Sequence, residues 1–445
     1  MPLPPWSVEL LRRSLSDVAA KASPEMIEKL KSQATAILNE LPAAAARGVD
    51  SVMQATETTK RSVQSWARSY TATSRHVINA SGNLMVTSHH GLVTPPLSAV
   101  VLEAGMEFLD GSRLAGPGLE HRGETALARW SNLGSKPDRV SVEDHGLVVT
   151  ASLDAAVIAM ALTAGDHPIR LHRSQAITLP SGKSIPDLLE SLGIGLQEFG
   201  GIDGFAADSY PDDKASLYVF AEGGSDGRPE TRSIPAGIRG DVLPVAAWCR
   251  EDLPPAAKDI ASVEDAFTRG ADAVVFSPSP LAGGPACGVL VAKEEALAKL
   301  KKHRLWPLLR SSEVARAMTV TALNESPLEA ADSAASLLTL SIDNLKSRAE
   351  KLKIRLEACG NVETVQRIDS GARIYPRSSH RIDSQAVQVR FKSRSTDDLL
   401  QSLAKHETYV ALAQPADGDA VVIDLRWVPP SDDSKLADVL ESVIG

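Results

Sequence analysis

The chain has 445 residues, 43% hydrophobic and 23% charged, a globular composition too long for one ordinary domain. A mean hydropathy of −0.08 and the lack of any apolar run of about 18 residues argue against a membrane helix. The net charge of −9 gives no global basic field to capture nucleic acid. The opening MPLPPWSVELLRRS lacks the basic-then-apolar order of a signal peptide. Cys249, Cys287 and Cys359 are odd in number and far apart, with no CxxC pair, which speaks against a disulfide framework or a structural zinc site. A cytoplasmic, reduced, multidomain protein is expected.

Residues 1–75 read as a helical N-terminal domain. Val8, Leu11, Leu15 and Val18 recur at helical spacing, and Ser23-Pro24-Glu25 starts a second helix that Pro42 stops. Thr59–Tyr70 suggests a third. Ten basic residues oppose seven acidic ones here, a balance that permits an RNA-facing segment and equally a solvated helical face.

From His76 the pattern changes to short apolar runs alternating with amphipathic stretches. Gly146–Ala151, Ile169–His172, Leu217–Phe220, Val242–Trp248, Ala273–Phe276 and Val289–Ala292 read as strands. Ala155–Ala164, Ile185–Leu192, Ser262–Arg269 and Lys293–His303 read as helices between them. This alternation predicts an α/β layer over 76–312 with a mainly parallel sheet. Residues 313–445 read as a small C-terminal α+β domain. It opens on a long helix, Asp332–Glu357, and carries strands Val362–Ile368, Ala386–Phe391 and Ala420–Leu425 beside helices Thr396–Lys405 and Asp433–Val443.

A set of motifs in order resembles one family. These are Val77-Ile-Asn-Ala-Ser-Gly82, His121-Arg-Gly-Glu124, Gly146-Leu-Val-Val-Thr150 before Ala151-Ser-Leu-Asp-Ala-Ala-Val157, and Gly270-Ala-Asp-Ala-Val-Val-Phe-Ser277. They continue with Leu281-Ala-Gly-Gly-Pro-Ala-Cys-Gly288, the Lys293–His303 helix and Leu308-Leu-Arg310. The pattern resembles bacterial selenocysteine synthase, L-seryl-tRNA(Sec) selenium transferase, from about Val77 to Val443. The resemblance implies a fold-type I, aminotransferase-like fold of pyridoxal-phosphate (PLP)-dependent transferases, with a seven-stranded type of large domain. It also implies a homodimer or a larger ring of dimers, and a tRNA contact through the N-terminal domain.

The resemblance also marks the site positions. The family's Schiff-base lysine falls on Pro280, which has no side-chain amine, and no lysine occurs between Lys258 and Lys293. The family's aspartate near the pyridine nitrogen falls on Trp248 or an alanine beside it, with Glu251 and Asp252 a few residues further on. The phosphate-binding helix start corresponds to Ala151–Ala156, where Asp154 reads better as a helix cap than as part of an anion cradle. A vestigial cofactor pocket is thus expected at Ser152, Asp154, Ser277, Ser279, Gly283 and Gly284, with no catalytic residue and no covalently bound cofactor. Three family turns are altered as well, to Gly200–Asp203, Ala221–Gly224 and Ser88–Leu92. The alternative is an active transferase or lyase whose amine comes from elsewhere, with Lys183 in Pro180-Ser-Gly-Lys-Ser184 as the candidate.

Other constellations carry less. His89, His90, His121, His145, His167 and His172 show no HxxxH or HExxH spacing and read as turn or surface histidines rather than metal ligands. The paired glycines contain neither GxGxxG nor GxxxxGK[ST], so no nucleotide loop is indicated. Cys287 reads as a buried small residue, and Lys299–Arg304 as cations at a helix end.

Overall fold

The computed structural model describes residues 77–85, 126–127, 144–165, 167–202, 216–221, 237–257, 260–325, 327–328, 333–374, 381–393, 395–413 and 420–445. The expected N-terminal helices, His89, His90, His121, Lys258, Asp203 and the Gly223-Gly224 pair lie outside these residues.

A seven-stranded sheet forms the centre of the α/β part. Its strands are β2 (His145–Thr150), β3 (Ile169–His172), β4 (Leu196–Phe199), β5 (Leu217–Ala221), β6 (Ile238–Leu243), β7 (Ala273–Phe276) and β8 (Gly288–Lys293), in the order β2-β8-β7-β6-β5-β3-β4. Only β8 runs against its neighbours; the other four pairings are parallel. The central strands are short and buried along their length, as strands covered on both faces must be. Helix α1 (Leu153–Thr163) is apolar on nearly every side and packs Val157, Met160 and Ala161 into one core with Val242, Val275 and Leu290. Helices α2 (Ile185–Glu190) and α3 (Val263–Thr268) start on Ser184 and Ser262, whose hydroxyls accept the backbone N–H of Asp187 and Asp265.

After β8 come α4 (Glu294–Lys302), α5 (Trp306–Leu309) and α6 (Glu313–Asn324); α6 places Leu323 in a core with Val149, Val289 and Phe276. Then follow α7 (Ala334–Leu338), α8 (Ile342–Glu357), β9 (Val362–Ala372), β10 (Ile382–Phe391), α9 (Thr396–Lys405), β11 (Tyr409–Leu412), β12 (Val421–Asp424) and α10 (Asp433–Ile444). Strands β12-β10-β9 form an antiparallel sheet, and β1 (Val77–Ala80) pairs with β11. Ile78 and Ala80 share a core with Leu345, Val387 and Leu436. Among the described residues, no helix is long and apolar enough to cross a membrane.

Two expected elements are corrected. The strand placed at Val242–Trp248 is β6, Ile238–Leu243. Its first half, Arg239-Gly-Asp241, looks too polar for a central strand. Arg239 and Asp241 pair with each other at 2.8 Å, and the cation lies over the Phe220 ring, so both are buried. The single long helix Asp332–Glu357 is two, because Ser341 leaves the helix after α7 and caps α8 by accepting from Asn344 N–H. Strand β4, helix α6 and strand β11 have no counterpart in the sequence reading.

Candidate functional site

Strands β2, β3, β5, β6 and β7 all end at the same edge of the large sheet, where β8 begins. In an open α/β sheet this edge is where ligands bind. The register pairs Thr150 with Gly288 and Phe276 with Val289, so the start of α1 and the segment after β7 lie side by side there.

The α1 start is tightly built. Thr150 Oγ1 lies 2.8 Å from the Ser152 carbonyl and 3.1 Å from that of Gly288. A Cβ on Gly288 would fall 2.3 Å from the Ser152 carbonyl oxygen and 2.7 Å from Ala156 Cβ, so glycine is what allows the helix to approach the strand. Ser152, not Asp154, is the cap: its hydroxyl accepts from Ala155 N–H at 3.1 Å. The expected role of Asp154 is therefore corrected. It sits inside the first turn, nearly buried, and accepts a hydrogen bond from the Ser181 hydroxyl. A short side chain one position before a helix has the reach to cap it, which is why the serine wins. Ser181 belongs to the turn carrying Lys183, whose side chain is exposed.

The segment after β7 is Ser277-Pro-Ser-Pro-Leu-Ala-Gly-Gly-Pro285. Ser277, Ser279, Pro280, Leu281 and Ala282 are all buried. Gly283 holds a φ of +72°, which favours glycine, and a Cβ on Gly284 would meet Pro278 Cβ at 2.8 Å. Of the six expected pocket residues, Ser152 and Asp154 lie on the α1 start and the other four on this neighbouring loop. Pro280 offers neither an amine nor a backbone N–H. Lys293, the next lysine along the chain, pairs with His145 at the far end of β8, five strand steps or about 17 Å from Gly288.

The end of β6 supplies no carboxylate, since Leu243 is followed by Pro244. Trp248 lies beyond the strand, fully buried, stacked on Phe276 at 5.6 Å and donating from Nε1 to the Ala126 carbonyl at 3.0 Å. Asp252 accepts from Cys249 N–H at 3.0 Å, and Glu251 is exposed. Cys287 is buried, lies 3.2 Å from the Thr319 hydroxyl, and burial pushes its thiol up to about 12.

The histidine reading needs correction at His172, which is buried at the end of β3, with Nδ1 accepting Ser174 N–H at 3.2 Å and the ring set edge-on to Phe199. His145 packs edge-on to Phe267, and burial with the nearby Lys293 lowers its pKa. Among the described residues, no three His, Cys, Asp or Glu side chains are grouped to hold a metal ion. The tie between Asp154 and Ser181, which joins two distant loops, carried no sequence signal beyond the polar character of the Pro180–Ser184 turn.

A family model described as L-seryl-tRNA selenium transferase matches residues 257–429. Proteins with that name in Aliarcobacter butzleri, Geobacter sulfurreducens and Carboxydothermus hydrogenoformans are 26%, 27% and 23% identical over 42%, 65% and 80% of this chain. The corresponding shares of those proteins are 41%, 66% and 78%, so the chain spans about two fifths of the first relative's length. Among solved structures, a D-glucosaminate-6-phosphate ammonia-lyase superposes with a TM-score of 0.58 at 14% identity, over 83% of this chain and 96% of that one. In sequence the chain resembles the L-seryl-tRNA(Sec) selenium transferases, the selenocysteine synthase family, and it has the α/β fold seen in fold-type I PLP-dependent enzymes.

Proposed function

We propose that this chain is a selenium-transferase-like protein that has given up Schiff-base chemistry with PLP and acts as a binding or regulatory homologue. One observation carries the reading. The position between the Phe276-Ser277 strand end and the Gly283-Gly284-Pro285 turn is a buried proline, Pro280. PLP chemistry needs an amine to hold the cofactor and to shuttle a proton. The end of β6 adds no carboxylate to keep a pyridine nitrogen protonated. The residues present therefore do not fit the cofactor in its usual mode, and no reaction step is assigned through it.

The test is to incubate the full chain with excess PLP, desalt it, and record absorbance before and after borohydride. The expected result is no retained band. A retained, reducible band would sink the reading and favour the second one: an active transferase or lyase using a non-standard lysine. One observation favours that alternative, because the turn carrying Lys183 is tied through Ser181 to the start of α1. Peptide mapping of the reduced adduct would then identify the lysine.

In its wider context we place the protein in the cytoplasm as a homodimer or a ring of dimers. We also propose that residues 1–75 contact tRNA, with 76–312 as the large domain and 313–445 as the small one, apart from β1, which packs with the small sheet, and α6, which packs with the large one. Sedimentation tests the assembly. A tRNA shift that weakens steeply with salt tests the contact, and loss of that shift on deleting 1–75 assigns it.

A further inference from the structure

We infer that the outer edge of β9 pairs with the same edge of a second copy, joining two three-stranded sheets into one continuous antiparallel sheet. The inference goes beyond the assembly proposed above, because it names the face and the register.

Strand β9 has eleven residues and lies at the edge of its sheet, with β10 as its one neighbour among the described residues. In an antiparallel pair, alternate residues turn their N–H and C=O away from the partner strand. Among the described residues, none of the outward backbone groups from Thr364 to Gly371 has a hydrogen-bond partner. The next contact along the strand is at Arg373, whose N–H donates to the Gly82 carbonyl. Such a row of open groups templates pairing with another chain, so edge strands are usually kept short. Strand β4, at the edge of the large sheet, has only four residues.

Charge selects a second copy as the occupant and sets its register. Two copies of one strand pair antiparallel about a two-fold axis normal to the sheet. Opposite residues then point to the same face, so only residues an even number of positions apart can meet. With the axis at Ile368, Arg367 of each copy meets Asp369 of the other. Moving the axis one residue either way sets Arg367 against itself or Asp369 against itself. Within one copy these two side chains lie 3.9 Å apart, and Gln385 holds both, at 2.5 and 2.6 Å. Their exposures of 36% and 85% leave both able to reach across the axis.

Helix α8 repeats the pattern. It shares a core with Val365 of β9 and Val389 of β10, and Glu350 lies 3.8 Å from Arg367, so its middle sits beside the same axis. Arg348 and Arg355 bind Asp433 and Glu441 of α10. The opposite flank carries Lys346, Glu350, Lys353 and Glu357, spaced to form one stripe. The short connection 358–361 makes α8 antiparallel to β9, so the two-fold sets two α8 helices antiparallel. Two strand spacings separate them by about 10 Å, within the range of packed helices. Across the axis Lys346 then meets Glu357, and Glu350 meets Lys353. Strand and helix are thus self-complementary about one axis, which an edge merely guarded by charge does not require.

The experiment is sedimentation velocity of the full chain over a range of concentrations. It compares wild type, Asp369→Arg, Arg367→Asp and an equimolar mixture of the two variants, each checked as folded by circular dichroism. Either reversal sets like charges against each other twice across the axis and should weaken association about tenfold or more. The mixture should recover it, because the two altered strands complement each other. Ile368→Cys in a Cys359→Ser background should cross-link copy to copy under mild oxidation. Residues directly opposite in an antiparallel pair lie about 4.5–5.5 Å apart, within disulfide reach. An assembly unchanged by both reversals, or a folded Ile368→Cys that stays uncross-linked, would overturn the pairing. The edge would then belong to another protein's strand or to solvent, and the homodimer or ring proposed above would stand through a different face. A wild type that is monomeric throughout would overturn both. If the reversals do not fold, the cross-link decides it.

Discussion

The ligand edge of the large sheet and the junction of the small sheet use polar residues in opposite ways. At the ligand edge the segment after β7 is two serines among prolines, leucine, alanine and glycines, with Trp248 stacked against Phe276 nearby. At the small sheet, charged and hydroxyl groups are dense and mostly paired, with Arg348 Nη1 and Arg426 Nε buried without a hydrogen-bond partner among the described residues. Asp424 accepts from Ser370 and Ser384 at 2.6 and 2.7 Å and from Arg426 N–H at 2.9 Å. The Arg426 guanidinium donates to the carbonyls of Leu340 and Asp383, and Arg348 binds Asp433 and the Val428 carbonyl. Burial pushes the Asp424 carboxyl up and pulls the Arg426 guanidinium down, the mark of charges enclosed for structure. The difference teaches that buried charged groups gather where elements join at the small sheet, while the loop after β7 at the edge of the large sheet is built from uncharged side chains.

The largest effect should come from breaking the polar junction. Arg426→Leu removes donors from buried carbonyls and strips Asp424 of its neighbouring positive charge, so a loss of roughly 3–5 kcal/mol in urea unfolding is expected. A loss under about 1 kcal/mol would mean that water, not Arg426, satisfies those groups, and the contrast between the two regions would fail. A smaller effect should come from the ligand edge itself. Gly288→Ala would press a methyl onto the Ser152 carbonyl and Thr150 Oγ1, 2.3 and 2.6 Å away, and should cost roughly 1–3 kcal/mol. If it is neutral, the edge has loosened in packing as well as in chemistry, and the scaffold is not intact there.

How much of this was legible in the sequence depends on what each feature relies on. Buried strands such as Ala273–Phe276 announce themselves because an apolar run between turn signals has few other solutions. Strand β6 was displaced because Arg239 and Asp241 hide a core strand behind two charges that satisfy each other only once folded. Strand β4 was missed because it is an edge strand with Gln197 and Glu198 exposed, which breaks the apolar signal. At the site, the proline at position 280 is a matter of residue type and is read directly from the sequence, whereas its burial is not. The tie between Ser181 and Asp154 joins positions far apart in the chain, and no local pattern encodes such a contact.

The smallest perturbation asks whether the ligand edge is chemically silent or has only changed its nucleophile. Cys287 directly precedes Gly288 at this edge, so a reactive thiol there would place a group capable of covalent chemistry beside it. Its surroundings argue against that. Burial raises the thiol to about 12, and the Thr319 contact lowers it only slightly in comparison. At pH 8 the thiolate is then about one part in ten thousand, too little for prompt alkylation. Iodoacetamide followed by peptide mass analysis should therefore leave Cys287 unmodified in the native chain and label it in urea. Cys359, half-buried on the small domain, should label first, though slowly, because burial and the nearby Glu441 raise its thiol too. Thr319→Ala should leave the order unchanged, since desolvation and not the hydrogen bond dominates. Prompt native labelling of Cys287 ahead of Cys359 would reverse the contrast drawn between the two regions, making the ligand edge the reactive one.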